Sequence, residues 1–442
     1  MKKESDDMEK IVSLCKRRGF IYPGSEIYGG LAGTWDYGPL GVLLKNNIRD
    51  LWWQFFVLSR DDMYGIDSAI LMNQKVWQAS GHVGSFADPM VECFKCKRRF
   101  RSDQLDDQKK CSECGGQFGE ARQFNMMFKT NVGPTENSDT VSYLRPETAQ
   151  GMFVNFKNVI DSFHPKLPFG IAQIGKAFRN EISPRDFTFR SREFEIMEFE
   201  YFIRGEEWEN SFSYWQKEMM RWIETVGIDK DKVKEVEVPN EELAHYSKRT
   251  TDIYFDFPFG QKELYGLAYR TDFDLKNHSA SSGIDLKFSD EEHNIFTPHV
   301  IEPTFGLDRT FLAVLLSAYS EDEMNGEVRA YLKLKPNIAP IKMAVFPLLK
   351  NKPILVDKAK EIYSGLKKEF KSVIFDDNGN IGKRYRRQDE IGTPYCVTID
   401  FDTVEKSVGA TVRDRDTGKQ ERVGEKELVE YIREKINIQL DI

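Results

Sequence analysis

Hydrophobic positions recur with helical spacing in two long stretches of the chain. The first begins after Pro39 and the second runs from Trp208 to Val226, with an apolar side chain every three or four residues. Such a stripe turns one side of a helix towards a core or a partner subunit. We therefore expect a long helix in each stretch. The stripes comprise Leu40, Leu44, Ile48, Leu51, Trp52 and Phe55, and then Trp208, Phe212, Trp215, Met219, Trp222 and Val226.

Two other segments predict strands beside polar loops. Residues 169–202, FGIAQIGKAFRNEISPRDFTFRSREFEIMEFEYF, indicate a strand, a polar loop and a returning strand. In residues 298–321 a strand ends at Gly306, and Asp308 and Arg309 begin an apolar helix. Long helices and strand pairs together predict a large α+β body.

Beyond Lys335 the predicted elements become short and alternate between strand and helix, which is typical of a compact α/β domain. We therefore divide the chain into an α+β domain, residues 1–335, and a small α/β domain, residues 336–442. The predicted elements of the second domain are strands at 341–349, 372–377 and 395–402, helices at 355–370, 383–392 and 426–436, and a hairpin that turns at residues 416–418.

The composition indicates a folded chain of two or three domains, since 40% of its 442 residues are hydrophobic and 30% are charged. A net charge of −8 disfavours nucleic-acid binding through bulk positive charge. Residues 337–442 nevertheless hold 20 Lys and Arg against 18 Asp and Glu, whereas the rest holds 43 against 53. No apolar run reaches the roughly 18 residues of a membrane span, and residues 1–10 lack a secretory signal. We expect a cytoplasmic protein without a membrane partner.

Four of the six cysteines form two CxxC pairs, Cys93 with Cys96 and Cys111 with Cys114. Two pairs at this separation predict a tetrathiolate zinc site in a loop at about residues 90–122. Two disulfides, or reduced thiols without a metal, are the alternatives. Four thiolates leave no coordination position for water, so the expected role of zinc is structural.

Basic and acidic side chains crowd the predicted strand pair of residues 169–202. Guanidinium groups suit polyphosphates and carboxylates, although a ladder of surface ion pairs would give the same pattern. The chain has neither a GxxxxGK[ST] loop nor a strand-linked GxGxxG, which argues against nucleotide sites of those kinds. Arg309 at a helix start either helps to hold an anion or only solvates the helix end. The crowded residues are Arg179, Arg185, Arg190 and Arg192 with Glu181, Glu193, Glu195 and Glu198.

Three segments together resemble the signature motifs of class II aminoacyl-tRNA synthetases: WDYGPLGVLLKNNIRDLWW, FRNE followed by RSREF, and GLDR before an apolar helix. YGGLAGTWDYGPLG, ILMNQKVWQASGH, YLRPETAQG, ELYGLAYRTDFDL and PHVIEPTFG are similar to the glycyl-tRNA synthetases of the dimeric type. IGKRYRRQDEIGTPYCVTIDFD resembles their anticodon-binding domain. The resemblance covers nearly the whole chain. It implies an antiparallel-sheet catalytic domain with a zinc-ribbon-like loop and a helical insertion at about 205–250, followed by an α/β anticodon-binding domain, in a homodimer.

The same resemblance implies an ATP site. Arg179 would hold the α-phosphate, and Arg190 and Arg309 the γ-phosphate. Glu181 would bind the amino edge of adenine, and Phe194 would stack on its ring, with Arg309 over the other face. The implied ATP-binding residues are Arg179, Asn180, Glu181, Phe189, Arg190, Ser191, Arg192, Glu193, Phe194, Glu263, Leu264, Gly306, Leu307, Asp308 and Arg309.

A magnesium ion is implied as well, because Glu263 and Glu302 flank the phosphates or the metal in this family. Catalytic roles then fall to Arg179, Arg309 and Glu263. The reaction implied is glycine activation by ATP, followed by transfer of the glycyl group to the 3′-terminal ribose of tRNA-Gly.

For glycine, the resemblance implies a pocket of carboxylates around the ammonium group. Charge-assisted hydrogen bonds suit that recognition, and larger amino acids are rejected sterically, so no editing domain is expected. Clustered glutamates repel one another, and we expect one to hold a proton until glycine binds. Thr304 stands where relatives usually carry serine. The implied glycine-binding residues are Arg101, Glu147, Phe194, Glu195, Ile196, Met197, Glu198, Glu302, Pro303, Thr304, Phe305 and Gly306.

For tRNA, basic residues around Tyr385 predict phosphate contacts and a stacking surface, while a solvated helix face is the alternative. Weaker candidates are Arg413 and Arg415, and the zinc loop could touch the acceptor end through residues 97–99. Three rival interpretations are a non-catalytic synthetase paralogue, a zinc-ribbon nucleic-acid-binding protein, and a class II enzyme for serine, threonine or proline. The predicted RNA-binding residues are Lys383, Arg384, Tyr385, Arg386 and Arg387.

Overall fold

The computed structural model describes residues 2–105, 107, 109–138, 140–324 and 326–436. Met1 and Ile442, the outer limits of the predicted domains, lie outside the described residues. The helices are Lys2–Arg18 (α1), Pro39–Trp53 (α2), Gln74–Ala79 (α3), His82–Ser85 (α4), Ala149–Phe163 (α5), Trp208–Val226 (α6), Phe273–Ser282 (α7), Leu307–Ala318 (α8), Pro353–Phe370 (α9), Ile381–Ile391 (α10), Phe401–Glu405 (α11) and Leu428–Ile436 (α12).

The strands fall into several sheets, of which the largest has seven strands. Up to the end of α8 they are Ile21–Pro23 (β1), Trp35–Tyr37 (β2), Met63–Gly65 (β3), Ala87–Glu92 (β4), Arg99–Arg101 (β5), Arg122–Asn125 (β6), Lys129–Asn131 (β7), Val141–Tyr143 (β8), Phe169–Phe178 (β9), Glu193–Ile203 (β10), Val233–Glu237 (β11), Arg249–Phe257 (β12), Gly260–Thr271 (β13), Phe288–Ser289 (β14), Ile295–Phe296 (β15) and His299–Gly306 (β16). The later ones are Tyr319–Met324 (β17), Glu327–Leu332 (β18), Met343–Pro347 (β19), Val373–Phe375 (β20), Tyr395–Ile399 (β21), Ala410–Asp414 (β22) and Gln420–Val423 (β23).

The large sheet has the order β11-β12-β13-β16-β10-β9-β3 and is antiparallel except for the pairing of β3 with β9. The predicted strand pair is confirmed as β9 and β10, and the strand before the apolar helix as β16. Direct pairing of β10 with β16 places the two chemically richest segments of the sequence side by side in the middle of the sheet. The α+β class with an antiparallel sheet is therefore confirmed.

One face of this sheet is covered by α2, α6 and α8, whose apolar sides share a core with the strands. Both predicted stripes are confirmed as core-facing helices, and α6 spans the predicted residues Trp208–Val226. Trp52, Phe56 and Phe305 pack as tilted and edge-on aromatic rings between α2 and the sheet. Because Trp52 is fully buried inside its own chain, it does not form a subunit contact.

The opposite face is covered only in part. A second core cluster, which includes Phe153, Phe156 and Phe202, packs α5 and α7 against one end of the sheet. The remainder of this face carries polar side chains and opens into a cavity. The helices therefore cover one face of the sheet and leave part of the other face exposed, where the strands form the floor of the cavity.

The predicted cysteine loop lies in an insertion built on a small three-stranded sheet with the order β5-β4-β6. Its two CxxC turns extend beyond the strands, and the insertion contacts the loop between β9 and β10. Ser183 Oγ donates to the carbonyl oxygen of Arg99 at 3.0 Å, and Arg190 Nη1 donates to Gln104 Oε1 at 2.9 Å. The insertion thus borders the open face of the large sheet.

The C-terminal unit is a five-stranded sheet with the order β20-β19-β21-β22-β23, in which β19 is parallel to β20 and β21. Its alternation of strands and helices is as predicted. All three predicted strands are shorter than expected. The last one ends at Ile399 because Asp400 accepts a hydrogen bond from the backbone N–H of Thr403 at 2.9 Å and caps α11. The helix α1 is longer than the predicted segment 11–18.

A buried ionic network joins the hairpin β17–β18 to the C-terminal unit. Asp389 on α10 accepts hydrogen bonds from Arg329 at 2.9 Å and from Arg413 at 2.8 Å. Arg415 donates to the carbonyl oxygen of Leu334 at 2.8 Å. These contacts fix the C-terminal unit against the larger body. No described helix is long and apolar enough to cross a membrane.

Candidate active site

The open face of the large sheet holds a cavity of about 260 Å³. Strands β10, β13 and β16 form its floor, and the first turn of α8 and the loop before β10 form its sides. The sequence-predicted residues that line it are Arg101, Arg179, Glu181, Phe189, Arg190, Ser191, Phe194, Glu195, Ile196, Glu263, Leu264, Thr304, Gly306, Asp308 and Arg309.

Arg179 follows β9 at the point where the strand leaves the sheet. Its Nε donates to the carbonyl oxygen of Pro146 at 3.1 Å, and its guanidinium lies 5.3 Å from the ring centre of Phe194 and 5.4 Å from that of Phe86. One backbone contact and two aromatic rings orient the group. Because Arg179 lines the cavity, an anionic ligand there could accept hydrogen bonds from its guanidinium.

Arg309 lies in the first turn of α8, at the other side of the cavity. Its guanidinium covers the ring of Phe189 at 4.5 Å. Its Nη1 lies 2.9 Å from the carbonyl oxygen of Glu263 and 3.2 Å from the carboxylate Oε1 of the same residue. Near this pair, burial and the charge of Glu263 raise the pKa of Asp252 to about 7. The cavity thus has an arginine and carboxylates at one end.

Other arginines of the crowded loop have structural partners. Arg192 donates to the carbonyl oxygens of Ala32 at 2.5 Å and of Glu181 at 3.0 Å, so it holds the loop rather than facing the cavity. The Glu181 side chain lines the cavity, and its Oε2 has no hydrogen-bond partner among the described residues. Arg101 also lines the cavity but pairs with Asp88 at 2.6 Å and Asp103 at 2.7 Å.

Behind Thr304 lies a carboxylate cluster, which we define as Glu147, Glu198 and Glu302; Glu198 and Glu302 are buried in the sheet, and Glu147, just before α5, is partly exposed. Glu198 accepts from the backbone N–H of Thr148 at 3.0 Å and from the Thr304 hydroxyl at 3.2 Å. Burial and the charge of Glu147 raise the pKa of Glu198. The Thr304 hydroxyl thus touches the cluster while its residue lines the cavity, so the two compartments meet there.

Glu147 is held by a histidine that comes from the segment ILMNQKVWQASGH. His82 Nε2 lies 3.2 Å from Glu147 Oε2, and the Ser80 hydroxyl lies 2.8 Å from His82 Nδ1. Gln150 donates to the second Glu147 oxygen at 2.9 Å. Burial opposes ionisation, but the charge and hydrogen bond of His82 outweigh it and hold the pKa of Glu147 well below its usual range.

Glu302 has an arginine as its partner. Arg270 Nη1 donates to Glu302 Oε1 at 2.7 Å, and its other nitrogens bind both oxygens of Asp274 at 2.8 Å. All three side chains are buried. Glu302 therefore belongs to the carboxylate cluster and does not line the arginine-bearing cavity, and its expected place beside the phosphates or the metal stays a prediction.

Several predicted ligand-binding side chains point away from the cavity. Alternation along a strand sends every second side chain to the helix-covered face, and this places Met197 and Phe305 in the core, where Leu307 of α8 also lies. Glu195 pairs with Arg49 at 3.0 Å and with Lys45, both on α2. The side chains of Met197, Phe305 and Leu307 therefore do not face the cavity, and Glu195, although it lines the cavity, turns its carboxylate to α2. Pro303 is buried, and Asn180, Arg192 and Glu193 do not line the cavity.

The carboxylate of Asp308 binds neighbouring residues of the protein and holds the start of α8 in place. Its carboxylate accepts from the backbone N–H of Glu195 at 2.6 Å and from the hydroxyl of Tyr37. Burial and the adjacent Asp308 raise the pKa of Tyr37 well above its usual value. The first turn of α8 is thereby tied to β10 and to β2, which fixes the position of Arg309.

Sequence reasoning missed several residues that build this site. Arg270 ends an apolar strand and stands four residues before Asp274, a spacing that indicates an ion pair on one helix or strand end. The other missed residues lie on separate segments and have no local signal. They are His82, Gln150, Lys45, Arg49 and Glu200.

The four cysteines of the two CxxC pairs converge, with all four Sγ atoms within 4.8 Å of one another. The Cys93–Cys114 and Cys96–Cys111 Sγ pairs are 3.5 and 3.8 Å apart. Zn–S bonds of about 2.3 Å in a tetrahedron place sulfur atoms about 3.8 Å apart. A hydrogen bond from the Cys96 backbone lowers the pKa of the Cys93 thiol to about 6. The residues fit a zinc ion.

The basic helix α10 divides its side chains between two environments. Arg384 is buried and donates to the carbonyl oxygens of Asp377 at 3.1 Å and Gly379 at 2.8 Å, so its predicted RNA contact is wrong. Arg413 and Arg415 are buried too, and the Arg413 guanidinium covers the ring of Tyr385 at 4.8 Å.

Of the remaining residues, Lys383 is exposed, Arg386 donates to the carbonyl oxygen of Val328 at 3.0 Å, and Arg387 pairs with Asp376 at 2.6 Å. Lys383, Tyr385 and Arg386 line a surface recess of about 760 Å³.

Comparison with known proteins identifies both units. The tRNA synthetase class II core domain family (G, H, P, S and T) matches residues 128–319, and the anticodon binding domain family matches residues 342–435. Glycine–tRNA ligases of Caldanaerobacter subterraneus subsp. tengcongensis and Clostridium kluyveri are each 50% identical to the chain, over 97% of it and 98% of the relative. The glycine–tRNA ligase of Bacillus cereus is 49% identical, over 97% of the chain and 99% of the relative. The chain belongs to the glycine–tRNA ligase family.

Because the chain belongs to the glycine–tRNA ligase family, its site can be assayed by the glycine-dependent exchange of pyrophosphate into ATP. We expect His82→Asn to raise the KM for glycine about tenfold, because Glu147 loses a charge-assisted hydrogen bond of about 1.5–3 kcal/mol, while the KM for ATP stays unchanged. His164→Asn, at an exposed position, serves as the matched control. An unchanged glycine KM in His82→Asn would contradict the positioning role of His82.

Proposed function

We propose that this protein is a glycine–tRNA ligase, which activates glycine with ATP and transfers it to the 3′-terminal ribose of tRNA-Gly. One observation carries the proposal. A cavity lined by arginines meets the carboxylate cluster at Thr304. A triphosphate suits the first compartment and a small ammonium-bearing molecule suits the second. Their junction is where a carboxylate and an α-phosphate would have to meet.

In the proposed binding mode, the ammonium group of glycine lies among Glu147, Glu198 and Glu302. Charge-assisted hydrogen bonds to carboxylates are about twice as strong as neutral ones. Glu198 and Glu302 are buried, and His82 and Arg270 are ionic partners of Glu147 and Glu302, so a side chain larger than hydrogen would have to displace these ionic contacts. This argument favours glycine over serine, threonine and proline.

In the proposed mechanism, a glycine carboxylate oxygen attacks the α-phosphorus of ATP. The bond from that phosphorus to the bridging oxygen breaks, and pyrophosphate leaves. Arg179 and Arg309 would stabilise the charge on the phosphates, since preorganised cations act most strongly where charge develops. A ribose hydroxyl of the tRNA then attacks the glycyl carbonyl, and AMP leaves. Neither step needs a covalent nucleophile from the protein, so positioning is the main contribution.

We propose Glu263 as the residue that would hold Mg²⁺ beside the phosphates. Its carboxylate is half-exposed next to Arg309, and carboxylate oxygens are the ligands that Mg²⁺ prefers. When bound, the ion neutralises phosphate charge. Arg309 keeps the Glu263 backbone and side chain together, which orients the carboxylate.

We also propose a structural zinc ion held by Cys93, Cys96, Cys111 and Cys114. The separations of the four sulfur atoms, which match a tetrahedral site, support it. The zinc-bearing insertion supplies Gln104, which binds Arg190 at 2.9 Å. By this contact the metal would stabilise one wall of the ATP cavity.

We propose that residues 1–335 form the catalytic domain and residues 336–442 the anticodon-binding domain. The recess beside Lys383, Tyr385 and Arg386 supports anticodon contact there, because an aromatic ring among basic groups suits single-stranded RNA. Within the first domain, the proposed insertions are residues 90–122 and 205–250. The acceptor end of the tRNA would enter the cavity of the large sheet.

We further propose a cytoplasmic homodimer. Three apolar side chains of the turn-rich loop after β1 support a protein partner: Ile27, Tyr28 and Leu31 are 89%, 87% and 60% exposed. Clustered apolar exposure of this kind is typical of an interaction surface. The cytoplasmic location follows from the proposed role in tRNA charging.

Loss of Arg179 tests the ATP site. We expect Arg179→Ala to fold with an unchanged melting temperature but to lose glycine-dependent ATP–pyrophosphate exchange by about 10²- to 10³-fold, as for removal of one charge-stabilising donor. The control is Arg433→Ala on the exposed side of α12, which should exchange normally. Normal exchange by Arg179→Ala would refute the assigned role.

Zinc is tested by Cys111→Ser. We expect elemental analysis to find about one zinc ion per chain in the wild-type protein, as in a four-cysteine structural site, and none in the variant. Cys396→Ala removes a cysteine that lies far from the site in the sheet of the C-terminal unit and should retain the metal. A wild-type protein purified without zinc, or a variant that binds it equally, would contradict the proposal.

A further inference from the structure

Glu200 is a buried acid that the proposed mechanism does not use. It lies on β10 two residues after Glu198 and therefore on the same face of the sheet. Its exposed fraction is 0%, and neither of its carboxylate oxygens has a hydrogen-bond partner among the described residues. Each member of the carboxylate cluster, in contrast, has at least one polar partner. An ionised carboxylate that is buried without a partner is costly, so the neutral acid is favoured.

The strand register shows why Glu200 lacks a partner. In the pairing of β10 with β16, Glu198 lies opposite Thr304 and Tyr201 lies opposite Ile301. The same register sets Glu200 opposite Glu302. Directly opposed side chains in an antiparallel pair have Cβ atoms about 4.5–5.5 Å apart, and like charges there are destabilising. Two ionised carboxylates cannot both be stable at these positions.

The guanidinium whose charge acts on Glu200, that of Arg270, is already engaged by other carboxylates. Arg270 on β13 binds Glu302 with one nitrogen and Asp274 on α7 with two others. The titratable groups around Glu200 are thus three carboxyl groups, those of Glu198, Glu302 and Asp274, and one guanidinium, that of Arg270. Burial first, and then the charge of Glu302, raise the pKa of Glu200 well above its usual value, although Arg270 opposes them. Burial raises the pKa of Glu302 as well, to about 8, but Glu302 accepts a hydrogen bond from Arg270, whereas Glu200 has no hydrogen-bond partner among the described residues and is the acid that keeps the proton.

We propose that Glu200 holds the proton of this site: its carboxyl group is neutral in the free protein and releases its proton when the ammonium group of glycine enters the carboxylate cluster. The O–H bond of Glu200 breaks, its electron pair stays on the carboxylate, and the proton passes to the solvent, while the ammonium keeps its own protons. The positive charge of the ammonium group thus enters the site as the positive charge of the proton leaves it. This inference rests on the proposed function, because it takes glycine as the ligand.

Proton release can be measured directly. Calorimetric titration with glycyl-sulfamoyl-adenosine, a stable analogue of the glycyl-adenylate, is carried out at pH 7 in two buffers of different ionisation enthalpy. We expect the wild-type protein to release about one proton more than Glu200→Gln. The control, Glu241→Gln, changes an exposed glutamate outside the site and should match the wild type. No release by the wild type, or equal release by wild type and Glu200→Gln, would overturn the proposal.

A second measurement needs no ligand. An acid whose pKa is higher in the folded than in the unfolded state binds more protons when folded, so its contribution to stability falls as the pH rises above about 4.5. Glutamine cannot ionise. We therefore expect the melting temperature of Glu200→Gln to exceed that of the wild type by a margin that grows from pH 5.5 to pH 8.5. A constant margin would contradict a protonated Glu200.

The two proposals fail separately. If the wild type lacks glycine-dependent pyrophosphate exchange, the proposed function is wrong, whereas the melting comparison still tests the protonation of Glu200. If exchange is normal but both the proton count and the melting margin are insensitive to Glu200→Gln, only the inference about Glu200 is wrong.

Discussion

The burial of carboxylates on one face of the large sheet is the constraint on which the site depends. A carboxylate removed from water is stable only with charge-assisted or hydrogen-bonding partners. Glu147 has His82, Glu198 has Thr148 and Thr304, and Glu302 has Arg270. These partners come from a short helix, a helix start and a neighbouring strand. The need to satisfy buried charge therefore fixes segments that are far apart in sequence around one small volume.

The helix-covered face of the same sheet supplies the rigidity. Side chains that alternate with the carboxylates, such as Met197 and Phe305, belong to an aromatic-rich core shared with α2, α6 and α8. Asp308 ties the start of α8 to β10 through the backbone N–H of Glu195. Because one face is closely packed, the other can hold costly polar groups at defined positions. The alternation of side chains along the strands therefore accounts both for the stability of the core and for the electrostatics of the site.

Much of the fold could be predicted because hydrophobic periodicity is local: α6 and the β9–β10 pair follow from spacing alone. Register between strands is not local, so the partners Arg270 and His82 and the opposition of Glu200 to Glu302 could not be read from the sequence. Motif resemblance found most of the cavity but ignored side-chain alternation, and it therefore included core residues. For Arg384 the sequence did offer a signal. Arg384 lies at helical spacing between Ile381 and Ile391, and this spacing could have shown that its side chain faces the buried side of α10.

The central claim is that the junction of the arginine-lined cavity with the carboxylate cluster selects glycine and joins it to ATP. The most direct test is ATP–pyrophosphate exchange by the wild-type protein with each of the twenty amino acids in turn. We predict that glycine alone supports exchange, because only it offers an ammonium group without a side chain. Exchange with alanine, serine or proline at a rate comparable to that with glycine, or no exchange with any amino acid, would contradict this account.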